Sequence, residues 1–216
     1  MRELGLALTP EQVDSFQFLH VKLYETNEKM NLTRVAPEQC AERHFLDSIL
    51  MQDLFPADAE VLDIGTGPGF PAVPLAIVRP DLVITALDSN AKMLSFLHSV
   101  APPNVLPINY RAEEWGVREA FRIVTGRAVA PLPIQLELSA APCEIGGLVI
   151  PMRTMNDAIL APRIRVKDLG LKYERSEVRR IPGSDVERLF PIYRKVDAGK
   201  PRFPRRWAEI KAKPIG

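Results

Sequence analysis

The distribution of apolar and polar residues along the chain predicts an α/β fold. Apolar runs of strand length recur, and segments with helical spacing separate the earlier ones. We expect five strands at residues 61–64, 82–87, 105–108, 121–125 and 148–152. Two later β-like runs, 171–181 and 189–196, would add a hairpin. The pattern therefore predicts a seven-stranded, mostly parallel sheet with helices packed against it.

The residues ahead of the first strand predict a helical cap. Thr9, Pro10 and Gln12 have the spacing of a helix start, and apolar residues follow at helical intervals. Pro37 begins a second predicted helix that reaches about Phe55. We therefore expect a cap at 1–60 and a sheet domain at 61–216, which ends in a basic tail from about residue 197.

The stretch VLDIGTGPGFPAVP, residues 61–74, predicts a ligand site. An apolar strand ends at Ile64, three glycines follow at Gly65, Gly67 and Gly69, and an apolar helix with early prolines resumes. Glycine tolerates positive φ and lets a ligand lie against the backbone. We expect a nucleotide-like ligand beyond the carboxyl end of this first strand.

The spacing of the glycines excludes two ligand classes. Phe70 stands where a dinucleotide fingerprint requires its third glycine, and the chain has no phosphate-binding G-x-x-x-x-G-K-[ST] loop. A nucleoside ligand without phosphates remains, and S-adenosylmethionine is the common one. Asp88 ends the second apolar run, 19 residues beyond Gly69, where a carboxylate can hold a ribose. Gly65 and Phe70 are expected to border the ligand.

The end of the fourth strand is the expected place for the chemistry. Arg127 is the charged candidate there, and it could orient the cofactor or the target base. The N/D-P-P-Y/F box of many amine methyltransferases is missing at this point. Cys143 follows a proline, as a cytosine-C5 nucleophile would, but it comes after the next helix.

Six sequence blocks occur in an order that resembles a known family. They are MNLTRVAP, ERHFLDSI, VLDIGTGPGFPAVPLAIVRP, LDSNAK, YRAEEW and TGRAVA, and they lie between about Asn31 and Ala130. This order resembles the bacterial small-subunit ribosomal RNA guanine-N7 methyltransferases, also called glucose-inhibited division protein B. The resemblance implies a Rossmann-like class I S-adenosylmethionine-dependent methyltransferase that methylates N7 of one guanine in 16S RNA.

The resemblance also implies roles for particular residues. Ala112 and Glu113 would bind the adenine. Arg127, from its place at the end of the fourth strand, is expected to be catalytic by positioning. No general base is needed, because guanine N7 already presents a lone pair. The expected cofactor-binding residues are Gly65, Gly67, Gly69, Phe70, Asp88, Ala112, Glu113 and Arg127. We expect this pocket to be formed entirely before residue 130.

The distribution of charge indicates a polyanionic partner on one side. Residues 153–216 hold 17 of the 28 Lys and Arg but 8 of the 27 Asp and Glu, a net of +9, so residues 1–152 carry −8. The candidate RNA-binding residues are Arg43, His44, Lys92, Arg205, Arg206, Lys211 and Lys213. The alternatives are a surface pair between Arg43 and Asp47, and a disordered, solvated tail that contributes little to the core.

Three departures from the family pattern concern RNA contacts more than the cofactor. They are Met93 where a basic residue is usual, Met152–Arg153 where Lys-Gly is usual, and Trp207–Ala208–Glu209 where a glycine is more usual. The chain shows no signal peptide, membrane span or metal motif, so we expect a cytoplasmic enzyme. We also expect it to be a monomer. Its expected partner is 16S RNA or the small ribosomal subunit. Two alternatives are a methyltransferase for a small molecule or protein, and an RNA-binding protein with an inactive fold.

Overall fold

The computed structural model describes residues 4–216, so the first three residues of the predicted cap lie outside the described part. Seven strands form one sheet in the order β3-β2-β1-β4-β5-β7-β6. Strands β1 to β5 are parallel, whereas β7 is antiparallel to both β5 and β6. The strands are β1 Glu60–Ile64, β2 Val83–Asp88, β3 Val105–Asn109, β4 Phe121–Arg127, β5 Cys143–Met152, β6 Leu171–Arg180 and β7 Glu187–Lys195. The predicted sheet and its closing hairpin are confirmed.

Helices cover both faces of this sheet. They are α1 Pro10–Met30, α2 Asp47–Ile49, α3 Ala72–Val78, α4 Ala91–Val100, α5 Leu132–Ala140 and α6 Trp207–Ala212. The capping box predicted at Thr9 and Gln12 is present at the start of α1. None of the helices in the described part is long and apolar enough to cross a membrane.

The second predicted helix is wrong as a continuous element. Residues 37–55 instead form a 3-10 turn, a π-helical segment at Ala41–Leu46, the short α2 and another 3-10 turn. The apolar spacing identified a helical region, but it did not reveal the wider i→i+5 hydrogen bonding. Such π-helical segments often occur at functional sites.

Two hydrophobic clusters fill the space on the two faces of the sheet. One contains Phe16 and Leu23 of α1 together with Val61 of β1, and it also includes residues of α3 and α4. The other contains Leu62 of β1 and Leu136 of α5. Neighbouring strand residues thus point to opposite faces, as the pleat of a sheet requires. Because the N-terminal helix shares a core with the sheet, the division at residue 60 stays a prediction.

Two local features shape the elements near the sheet. Asn90 caps α4, because its side-chain oxygen accepts the amide N–H of Lys92 at 3.0 Å. Strand β5 begins at Cys143, five residues before the predicted start at 148, so Gly146 and Gly147 lie inside it. A Cβ on Gly147 would come within 2.8 Å of the Arg122 carbonyl oxygen, so this glycine permits close approach of β4 where the strand register shifts.

The basic tail contributes to the core, contrary to the alternative of a disordered, solvated tail. Phe203 is 6% exposed and Ile210 of α6 is fully buried, and both belong to the cluster that contains α5. The spacing of apolar residues did not reveal that this segment joins the core, because two isolated apolar residues among prolines and cations show no periodicity.

Candidate active site

The glycine loop after β1 has the backbone conformation that the sequence predicts. Gly65, Gly67 and Gly69 have φ of 68°, 57° and 105°. A Cβ on Gly69 would lie 2.7 Å from Val73 and 2.9 Å from Leu97, so this glycine serves close packing of the helices. A Cβ on Gly67 would meet nothing within 4 Å, so the loop presents open backbone there.

Asp88, at the end of β2, holds the loop in place. Its Oδ2 accepts the N–H of Gly67 at 2.8 Å, and its Oδ1 accepts the N–H of Asn90 at 2.8 Å. The same carboxylate therefore joins the glycine loop to the start of α4. An ionised carboxylate accepts about four hydrogen bonds, so further acceptor capacity remains.

A cavity of about 350 Å³ opens beside this loop, and we call it the glycine-loop cavity. Its lining includes Gly65, Asp88, Ala112 and Glu113, which come from the ends of three neighbouring strands. The structure thus brings together four of the predicted cofactor residues. Its remaining lining residues are Ile64, Leu87, Ser89, Tyr110, Arg111, Ala128, Val129, Leu138 and Trp207.

The expectation that the pocket is built before residue 130 is wrong. Trp207 of α6 reaches the glycine-loop cavity from the far end of the chain. The guanidinium of Arg111 lies 5.3 Å from the Trp207 ring centre, and Arg111 Nε donates to Glu113 Oε1 at 2.5 Å. No local sequence signal links residues about a hundred positions apart.

Phe70 and Arg127 occupy a different place from the one expected for cofactor contacts. Phe70 is 3% exposed and is not among the residues that line the glycine-loop cavity. Its ring stacks on the His44 ring with 4.3 Å between the ring centres, and the Arg127 guanidinium carbon lies 5.4 Å from the centre of the Phe70 ring. Phe70 therefore packs against Arg127 and His44 and does not line the glycine-loop cavity.

Arg127, the last residue of β4, is fixed by three hydrogen bonds. Its Nη1 donates to Asp47 Oδ2 at 3.2 Å and to the Arg43 carbonyl oxygen at 3.1 Å, and its Nη2 lies 3.2 Å from His44 Nδ1. The π-helical segment and the first residue of α2 thus supply every one of these partners. Burial lowers the pKa of Arg127, although Asp47 opposes this change.

His44 links three of the sequence blocks. Its Nε2 lies 2.7 Å from Thr33 Oγ1. A guanidinium can only donate, so Nδ1 accepts from Arg127 and the ring proton resides on Nε2, which donates to Thr33. Burial and, to a smaller extent, the charge of Arg127 lower the pKa of His44 to about 4. His44 is therefore a neutral positioning group and not an exposed RNA contact.

Arg188 of β7 completes this cluster, and no sequence motif pointed to it. Its Nε and Nη2 donate to Asp47 Oδ1 and Oδ2 at 2.7 and 3.3 Å. The Asp47 side chain, which is 3% exposed, therefore pairs with two guanidinium groups, those of Arg127 and Arg188. Asp47 could have been found from its place in the RHFLDS block. Arg188 lies 141 residues after Asp47 in the sequence, in a strand with no recognisable motif.

A second cavity, of about 700 Å³, lies over this cluster, and we call it the arginine cavity. Its lining includes Arg43, His44, Arg127 and Arg188. Ala128 lines both cavities and has a φ of 54°, an unusual conformation for a residue other than glycine. Such strain tends to occur at functional sites. The two cavities therefore adjoin at Ala128, the residue after the end of β4.

Two buried polar atoms at the base of the glycine loop lack hydrogen-bond partners among residues 4–216. They are Asp63 Oδ1 and Thr66 Oγ1. The other Asp63 oxygen accepts the N–H of Ala72 at 3.2 Å. Burial raises the pKa of Asp63 to about 7. Unpartnered buried polar atoms are rare in proteins, and Thr66 is one of the groups that partly offset the raised pKa of Asp63.

The predicted RNA-binding residues differ in their surroundings. Arg43, Lys92, Arg206, Lys211 and Lys213 are exposed. Arg205 is not free for RNA, because its Nε and Nη2 donate to the fully buried Glu137 at 2.9 and 2.6 Å. Its assignment as an RNA contact is therefore corrected to a structural ion pair.

Cys143 is unsuited to nucleophilic catalysis. It is fully buried at the start of β5, and burial raises its pKa to about 12. In the part of the chain that the structure describes, no cluster of three or more His, Cys, Asp or Glu side chains could hold a metal ion.

Comparison with known proteins agrees with this architecture. The family described as rRNA small subunit methyltransferase G matches residues 12–165. A ribosomal RNA small subunit methyltransferase G from Caldanaerobacter subterraneus is 35% identical over 98% of this chain and 94% of its own length. The protein of the same name from Lactobacillus johnsonii is 31% identical, with 100% and 96% of the two chains covered.

Solved structures at low sequence identity share the fold. The M. jannaschii TYW2 structure in complex with AdoMet is 16% identical, with a TM-score of 0.56 over 69% of this chain and 75% of that chain. A Burkholderia thailandensis 1,6-didemethyltoxoflavin-N1-methyltransferase, also 16% identical, gives 0.54 over 89% and 92%. The chain thus has the fold of class I S-adenosylmethionine-dependent methyltransferases and belongs to the rRNA small subunit methyltransferase G family.

Proposed function

We propose that this enzyme transfers a methyl group from S-adenosylmethionine to N7 of one guanine in 16S ribosomal RNA. The observation that carries the proposal is the meeting of the two cavities at Ala128. One cavity has the groups that recognise a nucleoside, and the other is lined by cations that suit an RNA target. Methyl transfer requires that cofactor and target base meet at such a junction.

The residues of the glycine-loop cavity fit the cofactor. A volume of about 350 Å³ lies within the usual range for small-molecule sites. Gly65 and Gly67 would admit the ligand to the backbone, Asp88 would accept from the ribose, and Glu113 would accept from the adenine amino group. When bound, S-adenosylmethionine supplies an electrophilic methyl group on its sulfonium.

Arg127 would position the target guanine. A guanidinium has five N–H donors, and the three hydrogen bonds described above leave two without a partner among residues 4–216. These can donate to guanine O6 while N7 stays free to receive the methyl group. Both ring nitrogens of His44 are engaged, so His44 would hold Arg127 and would not remove a proton.

The exposed cations support RNA as the substrate. Arg43 lies at the arginine cavity, and Lys92, Arg206, Lys211 and Lys213 offer further phosphate contacts. Because N7 lies in the deep groove of an RNA helix, the target would be an exposed loop base. We propose that the enzyme acts as a monomer in the cytoplasm, on free 16S RNA or on the small subunit.

Two assays test this proposal. Calorimetry should detect binding of S-adenosylmethionine to the full chain, and absence of binding would favour an RNA-binding protein with an inactive fold. Labelled methyl groups should then be transferred to ribosomal RNA when the enzyme is offered separate RNA, protein and metabolite pools. Label in the protein or metabolite pool alone would contradict RNA as the substrate.

A further inference from the structure

Trp207 occupies a position that its sequence neighbourhood does not explain. It begins the short α6 in a basic segment, where an aromatic residue is expected to stack on RNA bases. Instead, it lines the glycine-loop cavity beside Tyr110, Arg111 and Glu113. Its side chain is 37% exposed, so one part of the indole faces solvent or a ligand.

Arg111 connects Trp207 to the predicted adenine-binding carboxylate. The Arg111 guanidinium lies 5.3 Å from the Trp207 ring centre, within the range of a cation–π contact. Arg111 Nε donates to Glu113 Oε1 at 2.5 Å, and the Glu113 side chain is 4% exposed. Because this bond uses one oxygen, Glu113 Oε2 is left to accept from a ligand.

Three anchors outside the cavity fix the direction of Trp207. Arg205, two residues earlier, pairs with the buried Glu137 of α5. Ile210, one turn later, is fully buried. Arg118 Nη2 donates to the Phe203 carbonyl oxygen at 2.7 Å. The segment therefore holds the indole at the cavity by contacts that a bound ligand would not alter.

We propose that Trp207 is a cofactor-binding residue, which closes the adenine end of the glycine-loop cavity and stacks on the adenine ring. This inference rests on the proposed function, because it takes the cavity as the S-adenosylmethionine site. An aromatic face suits a purine, and Arg111 contacts both the indole and the Glu113 carboxylate. The C-terminal segment thereby becomes part of the cofactor site.

The first test measures binding of S-adenosylhomocysteine by calorimetry to full-length variants. Trp207→Ala should weaken binding about tenfold, because base–aromatic stacking is lost. Trp207→Phe should keep most of the affinity. Arg202→Ala is the matched control, since Arg202 is an exposed cation of the same segment that pairs with Asp168 and does not line the cavity, and its affinity should equal that of the wild type.

A second readout follows Trp207 itself. The chain has two tryptophans, so Trp115→Phe leaves Trp207 as the sole one, and its fluorescence should change on addition of S-adenosylhomocysteine. Unchanged affinity in Trp207→Ala, with weaker RNA binding, would overturn the inference and make Trp207 an RNA contact. If the wild type itself bound no S-adenosylhomocysteine, the proposed function would fail together with the inference.

Discussion

At the scale of single residues, Asp47 has the central place in the arginine cavity. It is almost fully buried and accepts hydrogen bonds from both Arg127 and Arg188. A buried carboxylate is tolerated only when it is paired, and two guanidinium groups satisfy both of its oxygens. The same arrangement fixes Arg127 at the point where the two cavities meet.

We predict that Arg127→Ala loses activity more than stability. Asp47 would keep Arg188 as a partner, so the free energy of unfolding should fall by about 1–2 kcal/mol. Methyl transfer should fall about 100-fold in kcat/KM, because the target base would lose its positioning group. Arg122→Ala is the control on the same strand, since Arg122 pairs with Glu144 away from both cavities. Full activity in Arg127→Ala would reduce Arg127 to a structural residue.

His44 and Asp63 should have opposite effects on stability as the pH changes. The pKa of His44 is lowered to about 4 by burial, so its contribution is present above pH ~6.5 and is lost as the pH falls towards 4. The pKa of Asp63 is raised to about 7, so its contribution is present below pH ~4 and is lost as the pH rises through 7. In the wild type, these two changes of unfolding free energy with pH have opposite signs and partly cancel.

Single variants separate these slopes. Relative to the wild type, Asp63→Asn should gain unfolding free energy as the pH rises from 4 to 7, by at most ~1.4 kcal/mol per pH unit. His44→Gln should gain relative stability as the pH falls from 6.5 to 4. Urea unfolding at several pH values measures both differences. Differences that do not change with pH would show that neither group titrates abnormally.

Which residues the sequence could predict depends on how local their signals are. Gly65, Gly67 and Asp88 lie within one short strand–loop–helix–strand unit, so their spacing alone indicated a nucleoside site. Arg188 and Trp207 reach the site only through the order of strands and the course of the C-terminal segment. Neither has a neighbouring motif, so only the folded chain reveals them.

At the scale of elements, the spacing of apolar residues along the chain predicted every strand but not every helix. Strands buried on both faces give continuous apolar runs, which were recognised at β1, β2 and β4. The π-helical segment at Ala41–Leu46 keeps a helical pattern, and its change of winding leaves no signal in the sequence. The C-terminal segment was misread because an ion pair, and not an apolar stripe, anchors it.

We predict that Arg205 stabilises the fold, although it lies in the basic tail. Arg205→Ala would leave the carboxylate of Glu137 buried without its guanidinium, at a cost of about 3–5 kcal/mol. Arg206→Ala, which removes an exposed cation one residue later, should change stability by less than ~0.5 kcal/mol. Thermal unfolding compares the two. Equal melting temperatures would contradict the structural role of the Arg205–Glu137 pair.

At the scale of the whole molecule, the basic third of the chain can now be divided by function. Arg188 and Arg205 pair with buried carboxylates, so each adds to the net charge of the segment although a partner already neutralises much of its charge. Arg206, Lys211 and Lys213 remain exposed near the C-terminus. The net charge of a segment therefore overstates the number of phosphate contacts that it can make.

We predict that these three exposed cations contribute to RNA affinity. Replacing Arg206, Lys211 and Lys213 by Gln should flatten the dependence of log K on log salt by about 2, at ~0.7 per contact with single-stranded RNA. Lys22→Gln is a control, because Lys22 pairs with Glu25 on α1. A triple variant with the salt dependence and RNA affinity of the wild type would make the tail a solvated face.

The most direct test of the central claim locates the methyl group in 16S RNA. RNA from cells that lack the protein is compared with RNA from cells supplied with the wild type or with Arg127→Ala, using chemical cleavage specific for N7-methylguanosine. We predict cleavage at one guanine of 16S RNA with the wild type, and little or none in the other two samples. No wild-type-dependent cleavage, or a methyl group found on another atom or base, would contradict the account.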